Sequence, residues 1–235
     1  MDIPAVRVDA LCHAYPDGST SLHGVSFALA AGERLAVIGP NGAGKSSLLL
    51  HLNGILRAQR GSVAIFGTAV ADAALRDIRR RVGMVFQHPD DQLFCPSVFE
   101  DIAFGPRNLG LDEAEVARRV AEAVRTTGLD GLEQRAPYHL SIGQKRRAAL
   151  ATVLSMRPDL LVLDEPTANL DPRGRRELLA LLEAMPYTMI VATHNLEFAR
   201  ALCPQCLLLD KGAIAASGPT GAILDDVELL LEHGL

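Results

Sequence analysis

A chain of 235 residues can hold one large domain or two small ones, and its 49% hydrophobic content supplies a substantial core, which excludes an intrinsically disordered protein. Tryptophan is absent and aromatic residues make up 4%, so that core is aliphatic. The formal net charge of −5 argues against a nucleic-acid-binding surface, which favours a basic face. No uninterrupted apolar stretch approaches a bilayer span, and Met1-Asp2-Ile3-Pro4 lacks the basic and apolar regions of a signal peptide. The expectation is a cytoplasmic protein whose membrane role, if any, runs through another subunit.

The chain opens with short strands at Val6-Arg7-Val8 and Val25-Ser26-Phe27, separated by the turn signal Pro16-Asp17-Gly18. The apolar run Leu35-Ala36-Val37-Ile38 reads as a strand. It leads into Gly39-Pro40-Asn41-Gly42-Ala43-Gly44-Lys45-Ser46, followed by Ser47 and a helix through about Leu52. This G-x-x-x-x-G-K-S pattern on strand and helix flanks is a phosphate-binding loop. Its glycines let backbone N–H groups converge on phosphate oxygens, and the helix N-terminus adds partial positive charge. Lys45 is expected to reach the β- and γ-phosphates, and the Ser46 hydroxyl to ligate Mg²⁺. The competing reading is a glycine-rich turn that binds nothing.

Further strands are expected at Ser62–Phe66 and Val82–Phe86, the latter ending at Gln87. The middle of the chain reads as helical. Asp112 with Glu115 has the spacing of a capping box, Val116, Val120 and Val124 recur every four residues, and Gly128 is a stop. A second helix spans about Gly143 to Met156, ended by Pro158. Leu160-Leu161-Val162-Leu163 and Met189-Ile190-Val191-Ala192-Thr193 are continuous apolar runs, the mark of strands buried on both faces of a parallel sheet. Asp171-Pro172 reads as an N-cap with proline in the first helical position. The tail has a hairpin signal at Asp210-Lys211-Gly212 and then short helices. Alternating strands and helices imply an α/β fold with ligands at the carboxyl ends of the strands. Cys203 and Cys206 have no second Cys or His pair at zinc spacing and read as buried thiols, with a redox pair as the alternative. His13, His23, His51, His88 and His139 are scattered without metal-ligand spacing.

A second chemical element is Asp164-Glu165 at the end of the Leu160–Leu163 strand. Asp164 suits a residue holding Mg²⁺ through water, and Glu165 a base polarising the attacking water; an acidic cap after a core strand is the alternative. Between the two elements, Leu140-Ser141-Ile142-Gly143-Gln144 sets a hydroxyl and a small residue at a helix N-terminus, a second anion site.

At these residues the chain resembles the ATP-binding cassette (ABC) family. That family's signature is Leu-Ser-Gly-Gly-Gln, with Ile142 here replacing the first glycine. Gln87 matches the family's Q-loop, Asn169-Leu170-Asp171 its D-loop, His194 its switch histidine, and Tyr15 the aromatic that stacks on adenine. The resemblance covers nearly the whole chain. It implies a single ABC ATPase domain over residues 1–235 with a RecA-like mixed or parallel sheet core and an N-terminal antiparallel β subdomain. A helical subdomain at roughly 88–157 and a C-terminal hairpin with helices at 205–235 complete it. It also implies a catalytic group of Glu165, His194, Lys45 and Gln87, and Mg²⁺ held by Ser46, Gln87 and Asp164. ATP would lie on Tyr15, the loop from Gly39 to Ser47, and Ser141, Gly143, Gln144 and Asp171. Cassettes pair head to tail, so Ser141 and Gly143 would meet the γ-phosphate in the partner's site. With one set of motifs, the second cassette is another chain, most simply a homodimer. Two departures stand out. Asn195 replaces the usual Asp. Ile142 cannot adopt a glycine-only conformation cheaply, so an ordinary backbone is expected there.

The segment Pro89-Asp90-Asp91-Gln92-Leu93-Phe94, the run Phe104–Leu111, and Ser-Ile-Gly-Gln-Lys-Arg-Arg together resemble the ATPases of energy-coupling-factor transporters, most closely cobalt and nickel importers. That resemblance implies a membrane scaffold protein and a substrate-binding membrane protein as partners, and a place on the cytoplasmic face of the membrane. Leu93, Phe94 and Phe99 would receive coupling helices; for Phe99, core packing is an equal reading. A vitamin importer of the same architecture is the runner-up, and a soluble non-transport cassette ATPase a more distant one.

Overall fold

The computed structural model describes residues 3–235. Strands β1 (Val6–Ala14) and β2 (Thr20–Leu29) form an antiparallel ribbon, followed by β3 (Arg34–Ile38) and helix α1 (Lys45–Leu52). Then come β4 (Arg60–Ile65), β5 (Thr68–Ala69), α2 (Leu75–Arg81) and β6 (Val82–Val85). Three helices follow without an intervening strand: α3 (Val98–Asn108), α4 (Glu113–Thr127) and α5 (Ile142–Leu154). The chain returns through β7 (Leu160–Asp164), α6 (Pro172–Glu183), β8 (Thr188–Ala192) and α7 (Leu196–Leu202). It closes with β9 (Gln205–Asp210), β10 (Ala213–Pro219), α8 (Thr220–Asp225) and α9 (Val227–Glu232).

Two sheets result. One is antiparallel, in the order β2-β1-β4-β5; the other runs β10-β9-β3-β8-β7-β6. In the second sheet every pairing is parallel except the β9–β10 hairpin at the edge. All five residues of β7 and of β8 are buried, as continuous apolar runs in a two-sided sheet require. Alternate residues serve different layers. Leu160, Val162 and Ile190 pack with α1 and the antiparallel sheet. Leu161, Leu163 and Val191 pack with α3, α4, α5 and α6. Burying each such side chain contributes about 1.5–3 kcal/mol. This two-sided burial holds the carboxyl ends of β3, β7 and β8 in line.

Helix α3 contains Pro106, which removes the N–H that would bond the Ile102 carbonyl. The Ser155 hydroxyl donates to that carbonyl instead, at 2.8 Å, so the helix continues. At α4 only half of the expected capping box forms. Asp112 accepts from the Glu115 N–H, but the Glu115 carboxylate is taken by Arg118 and Arg119. Gly128 ends α4 in the left-handed conformation, as expected. Ile142 is the first residue of α5 and is not among the positive-φ residues, so its backbone is ordinary. Cys203 and Cys206 are buried free thiols, and burial pushes both up to about 12. Among the described residues no helix is long and apolar enough to cross a membrane.

Candidate active site

The phosphate loop leaves the end of β3 and enters α1 with two close approaches that only glycine permits. A Cβ on Gly39 would sit 2.0 Å from the Leu209 carbonyl oxygen, and one on Gly44 2.4 Å from that of Ser21. The tip of the β9–β10 hairpin braces the loop, with the Gly212 N–H donating to the Ala43 carbonyl at 2.9 Å. No side chain caps α1, so its first N–H groups face the pocket, ready for an anion.

Lys45 Nζ donates to the carbonyls of Gly39 (2.7 Å) and Pro40 (3.0 Å) and lies 3.9 Å from Glu165 Oε1. Burial lowers its pKa, opposed by the charges of Glu165 and Asp164. These backbone contacts hold the ammonium beside the loop and can be exchanged for phosphate oxygens.

Asp164 ends β7 and is 5% exposed, with Oδ1 buried and unpartnered. Burial raises its pKa; the Ser46 hydroxyl bond opposes the shift and Glu165 adds to it. A buried carboxylate oxygen with no partner, next to the Ser46 hydroxyl, is an all-oxygen donor set suited to Mg²⁺, and Gln87 lines the same cavity as Ser46. The residues present therefore fit that ion.

Glu165 sits at φ 45°, a left-handed conformation unusual outside glycine and costly to hold. Its N–H donates to the Ala192 carbonyl (2.8 Å), tying it to the end of β8. Its Oε2 accepts from Thr193 Oγ1 (3.2 Å) and from the His194 N–H (3.3 Å), and lies 2.9 Å from His194 Nδ1. Thr193 is thus a bonded neighbour of Glu165 that the sequence reading gave no role; its signal was a hydroxyl directly before the histidine.

Across the pocket the Tyr15 hydroxyl bonds Ser47 Oγ at 2.9 Å while its ring stays partly open to solvent. Behind it lie His13, packed edge-on to Tyr15 at 5.1 Å, and His51, 4.8 Å from His13. His51 Nδ1 bonds the Ser47 carbonyl at 2.7 Å, and burial lowers its pKa. The resulting cavity of about 580 Å³ is lined by Tyr15, the loop and helix residues 41–47, Gln87, Glu165, Ala168, Asn169 and His194.

Ser141, Gly143, Gln144 and Asp171 lie outside this cavity. Ser141 and Gln144 cap α5 reciprocally: the Ser141 N–H donates to Gln144 Oε1 (2.9 Å) and the Gln144 N–H to Ser141 Oγ (3.3 Å). Asp171 caps α6, accepting from the Gly174 N–H at 2.7 Å. Leu93 departs from its expected place on a docking surface. It is 7% exposed and belongs to the core. The surface aromatics there are Phe94 and Phe104, in edge-to-face contact at 5.0 Å, while Phe99 packs against the core.

Arg146 is a further residue missed in sequence. It is 3% exposed, donating to the carbonyls of Phe86 (3.3 Å) and Ala168 (3.2 Å).

Residues 22–168 match the family described as ABC transporter. The chain is 48% identical to an energy-coupling factor transporter ATP-binding protein of Carboxydothermus hydrogenoformans, over 98% of this chain and 86% of the relative. It is also 48% identical to a cobalt import ATP-binding protein of Rhodobacter capsulatus, over 99% and 85%. Among solved structures it superposes on cbiO1 of Clostridium perfringens with a TM-score of 0.86 at 35% identity, covering 99% of this chain and 94% of that one. With the phosphate loop, Glu165 and His194 meeting in one cavity of this fold and Asp164 bonded to Ser46 beside it, the chain belongs to the ABC transporter family, as an ATP-hydrolysing subunit of the energy-coupling-factor type.

Proposed function

We propose that this chain is the ATPase of an importer for cobalt or nickel, working as a head-to-tail pair of identical copies on the cytoplasmic face of the membrane. The observation that carries the pairing is the split of the nucleotide-binding residues. The cavity gathers the phosphate loop, Gln87, Glu165 and His194, yet Ser141, Gly143, Gln144 and Asp171 lie outside it. These residues complete a site only when a second copy brings its α5 N-terminus over the first copy's γ-phosphate. Similarity to the Rhodobacter cobalt import protein supports the choice of cargo.

Within each site Tyr15 stacks on adenine, and the loop N–H groups with Lys45 hold the β- and γ-phosphates. Ser46, Asp164 and Gln87 hold Mg²⁺, which supplies charge neutralisation on the phosphate oxygens. Glu165 orients and deprotonates the attacking water, and His194 holds the Glu165 carboxylate and faces the γ-phosphate. The domain is single, with residues 88–157 as the helical subdomain that carries the signature to the partner. The exposed Phe94–Phe104 pair on that subdomain meets the membrane scaffold, which works beside a separate substrate-binding membrane protein; no nucleic acid takes part.

The test is uptake of radioactive Co²⁺ or Ni²⁺ into vesicles carrying this chain with its membrane partners. ATP-dependent uptake that disappears with Glu165→Gln supports the proposal. ATP hydrolysis without uptake of either ion would refute the cargo.

A further inference from the structure

Arg146 lies second in the run Lys145-Arg146-Arg147, just after the signature, where a solvated basic face is the ordinary expectation. The structure buries it instead, at 3% exposure, between α5 and the two loops that border the cavity. A buried guanidinium is costly unless its donors are used. Among the described residues it forms no ion pair, and its Nε has no partner. One terminal nitrogen donates to the Phe86 carbonyl at 3.3 Å and the other to the Ala168 carbonyl at 3.2 Å. Phe86 directly precedes Gln87, and Ala168 directly precedes Asn169-Leu170-Asp171. Gln87, Ala168 and Asn169 all line the cavity. A second bracket joins the same loop to the same helix. The Phe86 N–H donates to Gln92 Oε1 (3.2 Å), and Gln92 Nε2 donates to the Ala149 carbonyl (2.9 Å) and Thr152 Oγ1 (2.8 Å).

We infer that Arg146 is a positioning residue that makes the signature helix, the Gln87 loop and the 169–171 loop move as one body, and so couples the two ATP sites of a dimer. The inference rests on the head-to-tail reading. In that pair Ser141 at the start of α5 contacts the partner's nucleotide, whereas Gln87 and Asn169 border the nucleotide of its own chain. One fork of two N–H groups therefore joins a contact in one site to two walls of the other. Lysine at this position keeps the charge but offers a single donor centre, which cannot span both carbonyls in the same way.

The test uses the full chain with Arg146→Lys and Arg146→Met, assayed well below each variant's melting temperature. Nucleotide affinity of the monomer is expected to stay within about twofold, because no nucleotide contact is lost. kcat is expected to fall by about 10- to 100-fold in Arg146→Met, the scale of a misplaced catalytic geometry, with Arg146→Lys between it and the wild type. The Hill coefficient for ATP is expected to drop from toward about 2, the ceiling for two sites, to about 1. A role in folding alone would lower the melting temperature and leave kcat and the Hill coefficient unchanged; that result overturns the inference. If Arg146→Met does not fold, Arg146→Lys carries the test alone. The underlying reading is checked apart, by ATP-driven pairing of Glu165→Gln. If that chain stays monomeric, the head-to-tail reading fails and the coupling fails with it. If it pairs while Arg146→Lys retains full kcat and cooperativity, only the coupling fails.

Discussion

Glu165 Oε2 lies 2.9 Å from His194 Nδ1, and the same oxygen accepts the Thr193 hydroxyl and the His194 main-chain N–H. The carboxylate at the end of β7 is thus aimed by three groups at the end of β8. Its other oxygen stands 3.9 Å from Lys45 Nζ. Replacing Glu165 by Gln keeps the shape and removes the proposed base. Hydrolysis is expected to fall by about 10²- to 10⁴-fold, with ATP affinity retained. Phosphate release and fluorescent-nucleotide binding measure the two. Normal turnover in this variant would take Glu165 out of the mechanism.

Replacing Thr193 by Val separates aiming from chemistry. It removes the 3.2 Å hydroxyl bond to Glu165, with the Asn195 N–H bond to the same hydroxyl oxygen, and leaves the Glu165 carboxylate in place. The expected outcome is a lowered kcat with unchanged KM for ATP, a smaller loss than in Glu165→Gln. Steady-state kinetics on both variants decide it; equal losses would mean that Thr193 does more than aim.

The buried His51 makes stability depend on pH. Burial lowers its pKa in the folded chain below the ordinary histidine value. Below that ordinary value the unfolded chain binds the proton and the folded chain resists it. The contribution is therefore fully present above the unfolded pKa and is lost as pH falls toward the folded one. Thermal unfolding between pH 8 and pH 5 is expected to show a falling midpoint on the acid side, shallower in His51→Asn. Parallel curves for the two proteins would place the acid sensitivity elsewhere.

The Phe94–Phe104 pair is a contiguous apolar feature on the helical subdomain that folding leaves uncovered, at 65% and 48% exposure. Phe94→Ala with Phe104→Ala is expected to weaken co-purification with the membrane scaffold and to leave nucleotide affinity intact. Unchanged co-purification would show that the scaffold docks elsewhere.

The phosphate loop and the buried strands were legible because their signals are local. Glycines mark where backbone meets backbone, as at Gly39 against Leu209, and unbroken apolar runs mark two-sided burial, as in Leu160–Leu163. Helix α3 was not marked out in the sequence as a separate helix: a proline within a helix ordinarily breaks it, and only the distant Ser155 hydroxyl takes up the carbonyl that Pro106 leaves free. Leu93 beside Phe94 looks like a second surface residue, and only the packing of α3 on α5 turns one in and the other out. Arg146 was hidden for the same reason: its charge says surface, and its burial depends on loops 60 and 22 residues away in sequence.

The central claim, that ATP is enclosed only between two copies, is tested most directly by the mass of the Glu165→Gln chain in solution with and without Mg²⁺ and ATP, measured by light scattering across a dilution series. The account predicts a monomer without nucleotide and a dimer with it, the dimer being lost on adding Ser141→Arg at the α5 N-terminus. A chain that stays monomeric with saturating ATP, while the unsubstituted protein hydrolyses ATP at a specific rate independent of its own concentration, would contradict it.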